Sequence, residues 1–285
     1  TTSNSFLLVE TESCACYCLD TGREHYYGIA RDFYHYYVGV RYRANTSSVP
    51  KELECGKILR FSANGIFIDE IAPTFPMRDI HQILVYDGHL WVTCSYDNLI
   101  AVFDGSTWSK WYPLDPPCEE PHDKNHFNSL AVFGGTLCVV AHNWGGDSGK
   151  LSELLFFHLP DMILDQRISL GVCAHNVWSH CGELMTCSSA EGSLVGERGR
   201  RIITGGFPRG IAYTKTEINV GISEFAKRPD RDLGVGWIKV YNYNWDLLRT
   251  LQISGQGMVT DIYAISDADA DKILYNKSIL LRQLN

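Results

Sequence analysis

Imidazole, guanidinium and amide side chains open several of the apolar runs in this 285-residue chain. "RDIHQILVYDGHLWVTCS" carries His81, "KNHFNSLAVFGGTLCVVAHN" carries His126, Asn128 and His142, and "GVCAHNVWSHCGELMTCSS" carries His175. Each run otherwise reads as a buried strand, where a polar group without a partner is costly, so the repetition needs a cause. Imidazoles converging on one point suit zinc, iron, copper or nickel, whereas calcium and magnesium prefer oxygen donors. His81, His126, His142 and His175 are therefore candidate ligands of a divalent transition metal. Arg209, in "GGFPRGIAY", is the candidate anion contact, because a guanidinium holds a carboxylate or phosphate at two points. Two plainer readings stand beside these. The histidines would line a polar channel mouth and hold water, and Arg209 would pair with Asp79, Glu224 or Asp261.

Chemistry of this kind needs elements that bring distant residues together, and the chain repeats such an element. Strand, tight turn and strand recur around Asp87-Gly88, Gly134-Gly135 and Cys181-Gly182, a strong hairpin signal. The residues leading each copy are Tyr27, His81, Asn128, His175, Arg209 and Thr260, spaced by 54, 47, 47, 34 and 51 positions. A period near 47 residues with several short strands per unit predicts propeller blades. The expectation is an all-β, closed β-propeller over residues 1–285 as one domain, with six four-stranded blades and a five-bladed ring as the competitor. The last blade is expected to combine a strand near residue 260 with the N-terminal strands "SFLLVE" and "ACYCLDTG".

In that arrangement the first strands line the central channel, and the leading residues ring one of its mouths. The second strands return to the same mouth and end at Arg41, Ser95, His142, Ser189 and Ser223, with Glu224 next. The mouth then collects Arg41, Asp79, Asn128 and Arg209 as substrate contacts. Tyr27, Arg209 and Glu224 are the candidate catalytic groups: Tyr27 as proton donor, and Glu224 (or Asp79) as general base if burial raises its pKa.

By repeat length and strand pattern over nearly its whole length, the sequence resembles the broad six-bladed propeller group of NHL-repeat, gluconolactonase-type and strictosidine-synthase-like proteins. The resemblance implies a propeller with a site at the channel mouth. In gluconolactonase-type propellers a divalent cation is bound through Glu, Asn and Asp. Asn128 could take the Asn part here, but His81 and His175 stand where the acidic pattern would be sought. That departure moves the expected cation towards Fe, Zn, Cu or Ni.

The totals narrow the partners. A net charge of −8 provides no electrostatic footprint for nucleic acid or an acidic membrane surface. No apolar run is long enough to span a bilayer, and "TTSNSFLLVE" lacks the features of a signal peptide. The 15 Tyr, 12 Phe and 7 Trp favour β structure. Ten cysteines without a CxxC pair read as reduced thiols of a cytoplasmic protein. Two functions follow. One is a metal-dependent enzyme (hydrolase, lyase or oxidoreductase) acting on a small, anionic substrate. The other is a binding module for a protein, peptide or carbohydrate. "DADAD" at 267–271 reads as an exposed turn, and His122 in "HDKNH" as a possible extension of the metal cluster.

Overall fold

The computed structural model describes residues 1–114, 123–159 and 161–283; His122 lies outside them. β1 (Ser5–Val9) and β2 (Cys16–Thr21) form a two-stranded sheet. The first four-stranded blade comprises β3 (Tyr26–Arg31), β4 (His35–Val40), β5 (Lys57–Ser62) and β6 (Phe67–Ile71). The second holds β7 (Ile80–Tyr86), β8 (His89–Cys94), β9 (Leu99–Phe103) and β10 (Trp108–Trp111). In the third are β11 (Phe127–Phe133), β12 (Thr136–Ala141), β13 (Glu153–His158) and β14 (Ile163–Ser169). The fourth consists of β15 (Ala174–His180), β16 (Glu183–Ser188), β17 (Ser193–Gly196) and β18 (Arg201–Ile203). The fifth runs β19 (Phe207–Tyr213), β20 (Ile218–Ser223), β21 (Gly236–Tyr241) and β22 (Leu247–Ile253).

Turn chemistry makes the hairpins. Asp87 and Gly88 sit at φ 48° and 73°, and Cys181 and Gly182 at 50° and 74°. Positive φ at both central residues matches the right-handed twist of the flanking strands. Apolar faces of neighbouring blades then close on each other. Ile58, Met77 and Ile80 meet Val92 and Leu99 between the first two blades, and Met185 and Leu194 meet Val220 and Ile222 between the last two. Cys94, Cys138 and Cys187 are fully buried in such layers, where a thiol acts as a small hydrophobe. The first strands of successive blades lie side by side, β3 against β7, β7 against β11, β11 against β15 and β15 against β19.

The expected count of six blades is corrected to five four-stranded blades. Around Thr260 no strand forms; Val259 makes one isolated antiparallel bridge, to Thr2. Asp261 turns its carboxylate onto backbone donors, Ile29 N–H (3.2 Å) and Ile262 N–H (3.0 Å), so a side chain does what a sheet ladder does elsewhere. The "DADAD" turn is likewise corrected. It is the first turn of a helix, Asp267–Gln283, in which Ser266 Oγ accepts the Asp269 N–H at 3.3 Å. Acidic residues are favourable at that end of a helix, and serine is a preferred cap. Among the described residues no helix is long and apolar enough to cross a membrane.

Candidate active site at the channel mouth

Each inner strand carries a register shift at its leading position: between Tyr27 and Ile29, Ile80 and Ile83, Phe127 and Ser129, His175 and Val177, and Pro208 and Ile211. A bulge inserts an unpaired residue and re-aims its side chain. The carbonyl just before five of the six leading residues is tied to the preceding blade by a side chain. Arg41 Nε donates to Ile80 O (2.9 Å), Asn128 Nδ2 to Ala174 O (2.8 Å) and Ser189 Oγ to Pro208 O (2.6 Å). Ser95 Oγ donates to Phe127 O, and Ser223 Oγ to Val259 O at 3.5 Å. Several polar residues at the mouth therefore hold blades together, and Asn128 is one of them.

The residues immediately after the leading ones form a second ring that the sequence reading passed over. Gln82 Oε1 accepts Leu130 N–H (2.6 Å), Ser129 Oγ accepts Asn176 N–H (2.8 Å) and Asn176 Oδ1 accepts Gly210 N–H (2.7 Å). Asn176 and Gly210 lie within the register shifts of β15 and β19, so the last two bonds satisfy backbone donors that a bulge has freed; the first satisfies an N–H on the inner edge of β11. The signal was present as a run of polar residues directly after His81, Asn128, His175 and Thr260.

The four histidines come together. Ring centroids are 4.6 Å apart for His81 and His126, 4.8 Å for His126 and His142, 5.3 Å for His142 and His175, and 6.1 Å for His81 and His175. All four are at least nine-tenths buried. Burial holds His81, His142 and His175 well below the usual histidine range, helped by Arg41 beside His81, by His126 beside His142 and by Arg209 beside His175. These three rings are therefore neutral near pH 7.

Hydrogen bonds sort the ring nitrogens. His126 Nδ1 lies 2.7 Å from Asp123 Oδ1, and His175 Nδ1 lies 2.9 Å from the Cys173 carbonyl. In both, Nδ1 donates, and in the neutral His175 ring Nε2 keeps its lone pair. His142 is the reverse: its Nδ1 accepts Trp144 N–H at 3.2 Å, so a neutral ring carries its proton on Nε2. His81 Nε2 is buried without a hydrogen-bond partner, 3.5 Å from Asp79 Oδ1.

Two arginines flank the histidines. Arg41 Cζ sits 3.6 Å from the Tyr27 ring centroid and Arg209 Cζ 5.6 Å from the same ring, two cation–π contacts on one tyrosine. Arg41 pairs with Asp79 (2.5 Å), whose other oxygen meets Lys51; Lys51 also reaches Asp123 at 3.0 Å. Burial alone would raise the Asp79 pKa, but Arg41, Lys51 and His81 hold it well below the carboxylate range. Glu54, which accepts Asp79 N–H at 2.6 Å, is pushed up to about 7 by burial. Arg209 has no carboxylate partner among the described residues. One of its nitrogens bonds His175 Nε2, while Nε and Nη1 are buried and unpaired. Burial lowers its pKa as well.

Of the sequence-derived site residues, Tyr27, Arg41, Asp79, His81, His126, Asn128, His142, His175 and Arg209 are buried in this one region. Glu224 is not among them: it is exposed after β20, its N–H donating to Val235 O. Thr260 is buried and bonds Thr1 Oγ1 at 3.0 Å. The salt bridge expected from Arg209 to Asp79, Glu224 or Asp261 does not form. Asp79, His81 and His126 bring one donor atom each within 4.8 Å of one another.

Imidazoles bound through nitrogen to one ion at about 2.0–2.1 Å place adjacent ring centroids roughly 4.5–5.5 Å apart. The first three spacings above fall in that range. A ligating histidine also donates its second nitrogen to a carboxylate or carbonyl, as His126 and His175 do. The donor set therefore fits a transition metal best at His81 and His126. Asp79, already held by two cations, is a poor ligand, and a gluconolactonase-like set of acidic donors is not assembled by these residues.

No family model matches the chain, and no curated protein matches it in sequence. Solved structures share its fold. A Bacteroides caccae protein of unknown function aligns with TM-score 0.64 and 13% identity, over 94% of this chain and 97% of that one. A chain of a nidogen/laminin complex aligns with TM-score 0.63 and 11% identity, over 92% and 95%. A putative gluconolactonase does so with TM-score 0.56 and 12% identity, over 85% and 82%. These likenesses show the fold: the chain is a β-propeller, and the solved structures that share it include a putative gluconolactonase and a streptogramin B lyase. Such folds host both enzymes and binding modules, so the site must argue the function.

Proposed function

We propose that the channel mouth is the active site of an enzyme acting on a small anionic substrate, with a divalent transition metal at the histidine cluster. The observation that carries this reading is Arg209: a buried guanidinium with two unpaired nitrogens and no carboxylate, beside four clustered imidazoles. An unpaired buried charge is expensive unless a counter-charge arrives, and a substrate carboxylate or phosphate supplies one. His81 and His126 would hold the metal, with His142 and His175 beside them. Bound there, a metal supplies a Lewis acid for a substrate oxygen or an activated water. Tyr27, in contact with both Arg41 and Arg209, serves as the hydroxyl donor, and Asn128 Oδ1, buried and unpaired, as an acceptor. Hydrolysis, elimination and oxidation all remain within this chemistry. The nine described cysteines are all free, in keeping with a cytoplasmic setting that keeps thiols reduced.

The test is metal analysis of purified protein grown with adequate metal, beside the His81→Ala and His126→Ala variants. Stoichiometric Zn, Fe, Cu or Ni in the wild type, lost from both folded variants, supports the reading. In parallel, small carboxylates and phosphates are screened by thermal shift against wild type and Arg209→Lys. A lysine cannot reproduce a planar two-point contact, so the stabilising anion should lose about tenfold or more in affinity, the worth of one charge-assisted bond. Metal-free wild type together with an unaltered anion response in Arg209→Lys would reduce the mouth to a hydrogen-bonded lining.

A further inference from the structure

A second cavity, of about 460 Å³, lies away from the histidines, between β1, β21, β22, the segment 259–265 and the helix Asp267–Gln283. Its origin is the incomplete pairing near residue 260. β1 bonds β2 along one edge, and among the described residues no strand ladder continues from it to the segment: the residues before β1 are tied to it by the isolated bridge Thr2 to Val259 and by single backbone bonds such as Ser3 N–H to Met258 O (2.8 Å) and Thr260 N–H to Thr1 O (3.1 Å). The volume lies in the range of small-molecule sites. Leu7, Ile29, Ile238, Ile253, Ile262 and Ile265 supply apolar wall.

Two observations define what would bind. Asn219 and Tyr36 line the cavity, are 5% and 2% exposed, and leave Asn219 Oδ1 and Tyr36 Oη without partners. An amide oxygen needs a donor, and leaving it unmet is costly. The charged side chains of the wall are Glu10, Glu12, Asp261, Asp267 and Asp271, with no lysine, arginine or histidine among them; its one basic group is the Thr1 α-amine, which donates to Asp261 O at 2.8 Å and whose pKa burial lowers to about 6. Carboxylates around an apolar space attract a cation and repel an anion.

We propose that this cavity binds a small amphipathic amine, its hydrocarbon body against the isoleucine wall and an N–H donated to Asn219 Oδ1. The site is separate from the channel mouth and does not depend on the function assigned there. Calorimetric titration of the full chain with octylamine and with octanoate tests it. Octylamine should bind saturably at one site, with octanoate about tenfold weaker or more, as expected for one unfavourable charge contact. Asn219→Leu, which removes the acceptor at similar size, should weaken octylamine about fivefold. Ala264→Phe, on the segment without strand pairing, should fill the space and abolish binding. If Asn219→Leu does not fold, the amine-over-carboxylate preference and Ala264→Phe still decide. Equal binding of octanoate and octylamine, or octylamine binding untouched by Ala264→Phe, overturns the proposal.

Discussion

The imidazoles at the mouth differ in what their second nitrogen does, and that difference sets which of them can act. Asp123 fixes the tautomer of His126 through a 2.7 Å contact and is itself kept ionised against burial by His126 and Lys51. If a metal sits on His126 Nε2, Asp123→Asn should weaken its affinity by about 10–100-fold, the usual effect of losing such an outer partner; competition with a chromophoric chelator measures it. An unchanged affinity would place the metal elsewhere. Glu54 makes a separate prediction about stability. Its folded pKa of about 7 lies above its ordinary value of 4.5, so the folded state binds the extra proton between those pH values. The protein is therefore stabilised by this group at pH 4.5 and below, and loses that contribution as pH rises to 7. Glu54→Gln should flatten the loss and gain on the order of 1–3 kcal/mol over wild type above pH 7, read from urea unfolding at a series of pH values. A variant as pH-sensitive as the wild type across that window would contradict this.

At the scale of strands, the bulges are what let neighbouring blades approach. Gly28 has φ +72°, and a Cβ there would lie 2.8 Å from Gln82 Cα and Ile83 N in the next blade. Gly210 repeats the arrangement, at φ +81° and 2.8 Å from Ile262 N. Both the conformation and the space exclude a side chain, so Gly28→Ala and Gly210→Ala should each cost on the order of 2–4 kcal/mol. Gly88→Ala is the control. Its φ is +73° but nothing lies within 4 Å of the added carbon, so only the conformational cost of about 1 kcal/mol remains. Equal losses for all three would show that inter-blade contact contributes nothing. The hairpins themselves were legible, since turn residues and strand alternation are local. The second polar ring was less so, because Gln82, Ser129 and Asn176 become meaningful only once the next blade's N–H groups are in place.

Across the molecule, pairing is uneven. Five blades have complete four-stranded ladders, whereas β1 and β2 form only a two-stranded sheet and residues 262–265 form no strand; the chain before β1 meets the segment 256–261 through one bridge and single backbone bonds. Regions with sparse backbone pairing open at lower free energy than core strands. Native-state hydrogen exchange should find amides of residues 262–265 and of β1 exchanging first, and those of β4, β8, β12 and β20 last. Slowest exchange at 262–265 would mean that this part of the ring is as cooperative as the rest. Ile273 of the C-terminal helix is 3% exposed among Phe6, Tyr36 and Phe61, so Ile273→Ala should cost about 2–4 kcal/mol and raise exchange in β1 in step.

The amino-acid sequence by itself determined the repeating hairpins, the propeller class and a common register for His81, Asn128, His175 and Arg209. Turn chemistry and two-residue alternation act over a few residues and can be read without knowing what lies across the fold. Blade number, the helix after Ser266 and the partner of every buried charge were decided only by tertiary structure. Arg209 illustrates the reason. Whether it meets a carboxylate or an imidazole depends on which of several distant residues the blade geometry delivers, and His175, thirty-four positions earlier, is the one that arrives. Likewise Glu224 follows the second strand β20 in sequence yet is exposed, at the start of a loop that its N–H bond to Val235 O closes. Contacts between residues far apart in sequence have no local periodicity to announce them.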